Sequence, residues 1–586
     1  MELQKGAFYL IEDIDPEKIF TAEDFSDEQR MIESMVADFT QNEIIPNLEE
    51  IDHQKEGLSR SLLAKAGELG LLSADVPEEY EGGEMGKISS AIITENISAG
   101  GSFSVSFSAH TGIGSLPIVL FGTEEQKKRY LPDLATGRKI AAYALTEPMA
   151  GSDALAAKTK AVLTEDGKYY VLNGEKIFIT NASFADVFVV YAKIDGEKFT
   201  AFIVDRDTPG FSIGPEEKKL GIKGSSTCSL IFEDAKVPVE NLLGEIGKGH
   251  VIAFNILNIG RYKLGLGSVG LSKSAISYAT KYALERQQFG IPIAKFGMIQ
   301  NKLAQMAAKT YASESLIYRL VGNIEEALHG KVDGREIGAA IEEYAVECSI
   351  SKVHCSESLA YVTDEAVQIY GGYGYTQEFP AERMYRDARI NRIFEGTNEV
   401  NRLIIPATLL RLGMKGQLPL LQAAQDLAGQ LISLQVKTSS GGEVPLEVEF
   451  DMLNRAKKLF LLIGGTAAQK YMKKLAKEQE IIEIMANMCI EIYAMESALL
   501  RAKKALAKDA ASAETKIELA MAYIYDAFPK LENWAKQAIA YMFESNEEVR
   551  TNLSIAKRLS KYQPINIIDI RQKIAKKVLE AGKYVV

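Results

Sequence analysis

Residues 168–180, KYYVLNGEKIFIT, residues 186–205, DVFVVYAKIDGEKFTAFIVD, and residues 229–238, SLIFEDAKVP, decide how the rest of the chain is read. β-Branched and aromatic residues come there in short runs, the signature of strands. Asn173-Gly174, Asp195-Gly196 and Asp207-Thr208-Pro209-Gly210 separate or end the runs with turn chemistry. The expectation is an antiparallel sheet or small barrel within residues 143–247.

Outward from this core the texture is helical on both sides. In SDEQRMIESMVADFTQNEIIPNLEEID (26–52) apolar residues recur at steps of three and four, and Ser26 suits an N-cap. TEEQKKRYLPDLATG (123–137) repeats the pattern, with Thr123 as cap and Pro132 and Gly137 as breaks. Helix returns near Gly249 and runs to about 412, interrupted by Val332-Asp333-Gly334 and by GGYGYTQEFP (371–380). After Gly413 comes a last helical region with a polar linker, KTSSGGEVP (437–445). The fold class is α+β and mostly α. Its expected units are residues 1–142 (helical), 143–247 (β), 248–412 (helical) and 413–586 (a helical extension).

A chain of 586 residues is too long for one core, and 47% hydrophobic with 25% charged residues is ordinary for a folded protein. The net charge of −12 leaves no broad basic field for nucleic acid. Cys228, Cys348, Cys355 and Cys489 lack CxxC spacing. Cys348, His354 and Cys355 could make half a metal site, but a second half is missing, so buried free thiols and no metal are expected. The start, MELQKGAFYLIEDIDPEKIF, has no basic region followed by an apolar run. It reads neither as a secretion signal nor as a transit peptide. No apolar run is expected to span a membrane, and a cytoplasmic protein is expected. Arg455, Lys457, Lys458, Lys470, Lys473, Lys474 and Lys477 flank LFLLIGGTAA (459–468). That pattern suits a membrane surface, but equally a helix packed on its own domain with solvated lysines, which is the reading adopted.

Gly265-Leu266-Gly267-Ser268-Val269-Gly270 matches GxGxxG in letters. A dinucleotide fold needs a strand before it and an acidic residue on a second strand after it. Here the flanks read as one helix, so the glycines are expected to admit a neighbouring helix.

Four segments carry residues suited to one task. YALTEPMAGSD (143–153) sits where helices give way to strands, and its hydroxyls and amides could bind a heteroaromatic ring or phosphate. Alone it is also a well-capped loop. KIFITN (176–181) alone is a strand. RQQFG (286–290) ends a helix, where Arg286 suits either a pyrophosphate or the helix C-terminus. Densest are QIYGG (368–372) and RIFEGTNE (392–399). Gly371 and Gly372 let backbone approach a ligand, and Thr397 or Asn398 can cap EVNRLIIPATLL. Glu395 falls just before that helix, a place that also favours a carboxylate through the dipole alone.

Together, YALTEPMAGSD, KIFITN, ALERQQFG, QIYGGYGYTQEFPAERMYRDARI and FEGTNEVNRL resemble the acyl-CoA dehydrogenase family over residues 30 to 410, in order. GPEEKKLGIKGSSTCSLIFEDAKVP and NILNIGR, with the C-terminal extension, look most like its very-long-chain branch. Met149 replaces a glycine common in the first motif, and Phe178 stands where many members have tryptophan. The resemblance implies a helical domain, a β-domain and a four-helix bundle over 248–412, with FAD between the last two. It places the backbone of Tyr143, Leu145, Gly151 and Ser152 and the Thr146 hydroxyl along the flavin, with Phe178, Ile179 and Thr180 on its other side. Arg286, Gln288, Phe289, Gln368, Gly371 and Gly372 are implied to reach the FAD of a neighbouring subunit, hence a homodimer. Thr397 and Glu399 are implied to contact the flavin nucleotide of their own chain. Ser152, Asn258, Arg261 and Gly396, with Glu395, are implied to contact the acyl-CoA; for Arg261 the plain alternative is a surface salt bridge.

By the same resemblance Glu395 is the catalytic base, and its backbone N–H helps hold the thioester oxygen. The alternative family position for the base is Gly260 here, without a side chain. Glu399 lies on the nucleotide side and Glu382 in the preceding loop. The product is a trans-2-enoyl-CoA of fatty-acid β-oxidation, with electrons passing to electron-transferring flavoprotein. An acyl-CoA oxidase using oxygen and a mainly structural assembly factor share this layout and stay open as alternatives. The extension of the very-long-chain branch covers a second pairing surface, which favours a dimer over a tetramer. Ser106, Ser108 and Ala109 are expected at the pocket floor, where small residues imply medium to long acyl chains.

Overall fold

The computed structural model describes residues 4–430 and 445–586. All of the expected linker 437–445 except Pro445 therefore lies outside the described residues. The N-terminal helices include α1 (Asp27–Phe39), α2 (Leu58–Glu68), α3 (Gly86–Ile97), α4 (Ser102–Ser108) and α5 (Glu124–Ala135). Ser26 and Thr123 start α1 and α5 through capping boxes completed by Gln29 and Gln126, so each helix begins with donors satisfied. Pro132 does not break α5. It lies inside the last turns, and the helix ends at Ala135, before Gly137 with φ of 74°. The run Ser102–Phe121 is, against expectation, long and apolar enough by length and composition to cross a membrane; 67% of its most apolar window is buried inside the protein.

One sheet joins β1 (Ala141–Ala144), β2 (Lys160–Leu163), β3 (Tyr169–Thr180), β4 (Val187–Ile194), β5 (Lys198–Asp205), β6 (Phe211–Glu216), β7 (Thr227–Pro238) and β8 (Leu242–Leu243). Its order is β6-β7-β3-β2-β4-β5-β8, with β1 against β4. The expected antiparallel pairing holds except at β4, where β1 and β2 each run parallel to it. Side chains alternate between faces along a strand. On β4, Phe188, Val190 and Ala192 join the sheet's own core, while Val187, Val189 and Tyr191 join the larger core shared with the helices. Asp195-Gly196 makes the β4–β5 hairpin with left-handed φ at both residues. Asn173-Gly174 is not a turn. It is a register shift inside β3, where a β-carbon on Gly174 would run into Thr159.

The long helices α6 (Gly249–Glu285), α7 (Gly297–Leu328), α8 (Ala345–Tyr370), α9 (Pro380–Arg389) and α10 (Asn398–Met414) follow. The GxGxxG segment lies wholly inside α6, and a β-carbon on Gly270 would collide with the Glu95 carbonyl of α3. The glycine thus allows two backbones to touch, as the helical flanks imply.

The extension comprises α11 (Leu420–Gln430), α12 (Glu447–Tyr471), α13 (Gln479–Lys508), α14 (Ala510–Met542), α15 (Asn546–Leu559) and α16 (Ile567–Ala581). On α12, Leu459 to Ile463 are buried, and so are Arg455 and Lys457. Arg455 binds Asp451 and the Leu559 carbonyl, and Lys457 pairs with Glu496 at 2.6 Å. This apolar stretch is packed within the chain. On α13, Arg501 pairs with Glu314 of α7 at 2.6 Å and with Glu23 at 2.7 Å. Residues 4–24 are tied to the far end of the chain: Tyr9 Oη donates to the Cys489 carbonyl and Lys504 Nζ to that of Ile19.

Candidate active site

A cavity of about 140 Å³ opens between α4, α6, α8, α9 and the segment before α10. One face of α6 lines it at helical spacing: Gly260, Lys263, Leu264, Gly267 and Leu271. Opposite stand Ser104, Val105, Ser108, Ala109 and Gly112, with Thr180 at the end of β3 and Phe394 and Glu395 before α10. Ser108 and Ala109 are thus on the wall as expected. Ser106 is not. It is fully buried behind the wall, where its carbonyl accepts from Asn181 Nδ2 at 2.9 Å.

Glu395 has a left-handed φ of 58°, rare for a side chain with a β-carbon. Thr397 caps α10 by accepting from the Val400 N–H at 3.2 Å, and this fixes the turn that presents Glu395. The Glu395 Oε2 is enclosed and has no hydrogen-bond partner. Burial pushes its carboxyl up to about 7, while Arg261 and Lys352 pull the other way. Among the described residues no protein acceptor takes the Glu395 N–H. The carboxyl lies directly on Gly260: a β-carbon there would be 2.7 Å from Glu395 Cδ.

Asn258 and Arg261 are buried. Arg261 Nη1 donates to Asn258 Oδ1 at 2.8 Å and Nε reaches the Glu395 carbonyl at 3.4 Å, so the surface salt bridge is ruled out in favour of a buried grip on Glu395. Gly396 (φ 80°) lies under Asn401, whose Nδ2 donates to the Gly396 carbonyl at 2.9 Å. Glu399 is exposed. Glu382 is on α9, not in a loop, and pairs with Arg386 at 2.6 Å.

The loop 143–153 is held to β3 by a buried pair. Lys176 Nζ meets Glu147 Oε1 at 2.7 Å and donates to the Leu145 carbonyl at 3.1 Å, while Glu147 also accepts the Thr159 N–H at 3.1 Å. Tyr143 is buried, and its hydroxyl has no partner. Thr146 accepts the Ile177 N–H through its carbonyl at 2.9 Å, and Gly151 and Ser152 are exposed. Ile179 is buried, yet Phe178 beside it has φ of 60° and is 60% exposed. An apolar ring held outward by strained backbone, next to an open loop of donors, suits a flat aromatic ligand.

A second group gathers elsewhere. Arg286 and Gln288 follow α6, Phe289 is 93% exposed, and Gln368, Gly371 and Gly372 end α8. The Arg286 guanidinium stands 5.4 Å from the Tyr373 ring, which joins the two helix ends. Gly260 lies 25 residues before the end of α6 at Glu285, about 37 Å along the axis. One chain therefore presents two separate clusters.

Several site groups carried no signal in the motifs. Lys263 pairs with Asp75 at 2.7 Å on the cavity wall, and Asp387 donates nothing outward but accepts the Ile222 N–H. Lys352 is fully buried on α8. A charge in a mostly apolar helical run is the mark that could have found Lys263 and Lys352, whereas Asp387 sits among the charges of PAERMYRDAR and has no such mark. The four cysteines are free and buried; His354 uses both ring nitrogens on Ser313 Oγ (3.2 Å) and Tyr523 Oη (2.7 Å).

Models of the acyl-CoA dehydrogenase N-terminal domain match residues 26–138, of the middle domain residues 142–235, and of C-terminal domains residues 247–410 and 455–558. A probable acyl-CoA dehydrogenase of Bacillus subtilis (strain 168) is 53% identical, over 100% of this chain and 99% of its own length. The mitochondrial very long-chain specific acyl-CoA dehydrogenase of Rattus norvegicus is 35% identical over 82% of this chain and 75% of its own. The crystal structure of an acyl-CoA dehydrogenase complexed with FAD from Bacillus anthracis superposes with a TM-score of 0.97 at 54% identity, covering 100% of both chains.

Proposed function

The chain belongs to the acyl-CoA dehydrogenase family, an oxidoreductase family, and from that premise we propose that it converts medium- to long-chain acyl-CoA to trans-2-enoyl-CoA with FAD, in fatty-acid β-oxidation. The observation that carries the reading is Glu395. Its carboxyl lies against Gly260 on the wall of a mainly apolar cavity, with Oε2 enclosed and unpartnered.

The α-hydrogen of a thioester is a weak acid, so the site must strengthen the base and stabilise the enolate. Burial does the first: with its proton affinity raised to about 7, Glu395 is a stronger base than a solvated carboxylate and is about half ionised near neutrality. The free Glu395 N–H does the second, as a preorganised donor for the thioester oxygen. Arg261, holding the Glu395 carbonyl, keeps that N–H and the carboxyl in one orientation. The residues fit FAD. Phe178, Thr180 and the 143–152 loop would hold its ring, and Thr397 at the start of α10 a polar part. Bound FAD supplies the hydride acceptor for the β-carbon.

The two separate clusters on one chain support a homodimer, in which Arg286, Gln288, Phe289, Gln368, Gly371 and Gly372 of a partner copy complete the cofactor site. Electron-transferring flavoprotein is the acceptor in this reading. The decisive experiment adds acyl-CoA to the yellow protein without oxygen. Bleaching of the flavin, with little oxygen consumed in air, is expected. Rapid oxygen consumption would make the protein an oxidase, and an unbleached flavin would remove the enzymatic reading. A stoichiometric FAD complex that stays monomeric at nanomolar concentration would remove the shared site.

A further inference from the structure

Lys352 is a cation with no place in the chemistry described so far. It lies on α8, fully buried, and its Nζ donates to Asn398 Oδ1 at 2.6 Å. Asn398 is the first residue of α10, three residues after Glu395. Its amide is fully engaged, since Nδ2 donates to Ser356 Oγ at 3.1 Å and to Glu357 Oε1 at 3.0 Å. Glu357 in turn takes both arms of Arg402, at 2.8 and 3.0 Å. A chain of polar contacts thus runs from α8 into the start of the helix that presents the base.

A buried ammonium has three donors and strongly prefers an anion nearby. Lys352 uses one donor on a neutral amide. The charges that act on it most are Glu395 before α10, Arg261 on α6, Glu399 on α10 and Glu357 on its own helix. Glu357 is committed to Arg402 and Glu399 is exposed, whereas Glu395 has an oxygen without a partner. Arg261 grips the backbone of Glu395; Lys352 grips the residue that starts α10. Two buried cations thus hold the turn that carries Glu395, one through its carbonyl and one through Asn398.

Resting on the reading that Glu395 is the base, we propose that Lys352 is a positioning residue for it: a buried cation that keeps the carboxylate charged in an enclosed site and locks the first turn of α10. The two groups act on each other. Burial drops Lys352 to about 7, opposed first by Glu395, and Lys352 offsets the burial of Glu395. Loss of the lysine charge should leave Glu395 harder to ionise, so base strength is retained but fewer molecules hold the active form at neutral pH.

The test compares Lys352→Met, Lys352→Arg and Asn398→Ala in the FAD-loaded protein. In Lys352→Met the midpoint of the flavin-reduction pH profile should rise by about one unit, a roughly tenfold loss below both midpoints that added base restores. Lys352→Arg keeps the charge and should return the midpoint most of the way. Asn398→Ala removes the tether and should lower the rate at all pH values with a smaller shift of midpoint. Infrared titration of the protonated carboxyl band, with Glu395→Gln as the blank, reads the same shift without turnover and in protein lacking FAD. An unmoved Glu395 titration in Lys352→Met overturns the proposal, as does a pH-independent loss shared equally by Lys352→Arg. Should Lys352→Met not fold, Lys352→Gln carries the same comparison. A wild-type flavin that stays unbleached with every acyl-CoA tried would instead refute the functional reading, while the infrared titration would still decide the coupling.

Discussion

The carboxyl of Glu395 occupies the space that a side chain on Gly260 would need: a β-carbon there falls 2.7 Å from Glu395 Cδ and 3.1 Å from Oε1. The two positions therefore address one point in space from different elements, α6 and the turn before α10. Glu395→Gln keeps size and removes the acceptor charge. It should slow flavin reduction by ~10²–10⁴-fold, the contribution of a positioned general base, with acyl-CoA binding little changed. Gly260→Ala should displace the carboxyl and lower kcat in a folded protein. Gly260→Glu combined with Glu395→Gly should restore part of the rate, because the new carboxyl starts from the vacated place. Single-turnover absorbance reads all three; reduction of Glu395→Gln at the wild-type rate would remove the assignment.

The same carboxyl makes a prediction about pH. Its folded value is raised from 4.5 to about 7, so between those values the folded protein holds a proton that the unfolded chain has lost. Stability from this group is complete below about 4.5 and is lost as pH rises through 7. Glu395→Gln, which never ionises, should therefore gain on wild type as pH rises. The gain should reach at most about 3 kcal/mol near pH 8 and should vanish at low pH. Activity should move in the opposite sense, rising through pH 7 as the base ionises. Denaturant titrations of the two proteins across pH check the first statement and flavin-reduction rates the second.

Lys176 and Glu147 should respond asymmetrically to mutation. Glu147 keeps the backbone donors of Lys158 and Thr159 when the lysine is removed. Lys176, with no exposed surface, keeps only the Leu145 carbonyl when the glutamate is removed. Glu147→Ala strands a buried ammonium, already held down to about 8 by burial, and should cost about 3–5 kcal/mol. Lys176→Met should cost less. Because this pair ties the 143–153 loop to β3, Glu147→Ala should also release FAD more readily. Urea unfolding and flavin fluorescence on dilution measure the two effects; equal costs for both mutants would refute the asymmetry.

Element type was legible where a local cause is strong. Ser26 and Thr123 announce their helices because capping boxes act within four residues, and Asp195-Gly196 announces its hairpin because the φ signs needed favour those residues. Asn173-Gly174 misled for the same reason: the local preference for left-handed backbone is met by a bulge, and only pairing with β7 distinguishes bulge from turn. Pro132 misled because a missing N–H near a helix end costs less than the packing of Leu131 and Leu134 gains. Glu395, Phe178 and Phe289 were found by motif, and each has left-handed φ, a strain that no propensity scale would assign to them. Lys352, Lys263 and Asp387 were not found, because their partners Asn398, Asp75 and Ile222 are distant in the chain.

The length of acyl chain accepted should be set along α6. Gly260, Lys263, Leu264, Gly267 and Leu271 line the cavity on one helical face, so distance from Glu395 is read by counting residues. Gly267 lies seven residues beyond Gly260, about 10 Å along the axis. A β-carbon there meets nothing within 4 Å, so a side chain can start into the cavity from open space. Replacing glycine inside a helix also favours the helix by about 1 kcal/mol, which protects the fold. Gly267→Leu should therefore obstruct only chains long enough to reach it. Its kcat/KM should fall at least about tenfold for palmitoyl-CoA, equivalent to about 1.4 kcal/mol of lost transition-state binding, and change little for butyryl-CoA. A substrate series on both proteins makes the measurement. A uniform loss across all chain lengths would mean that the acyl chain does not run along this face of α6, and the cavity would have to serve another part of the substrate.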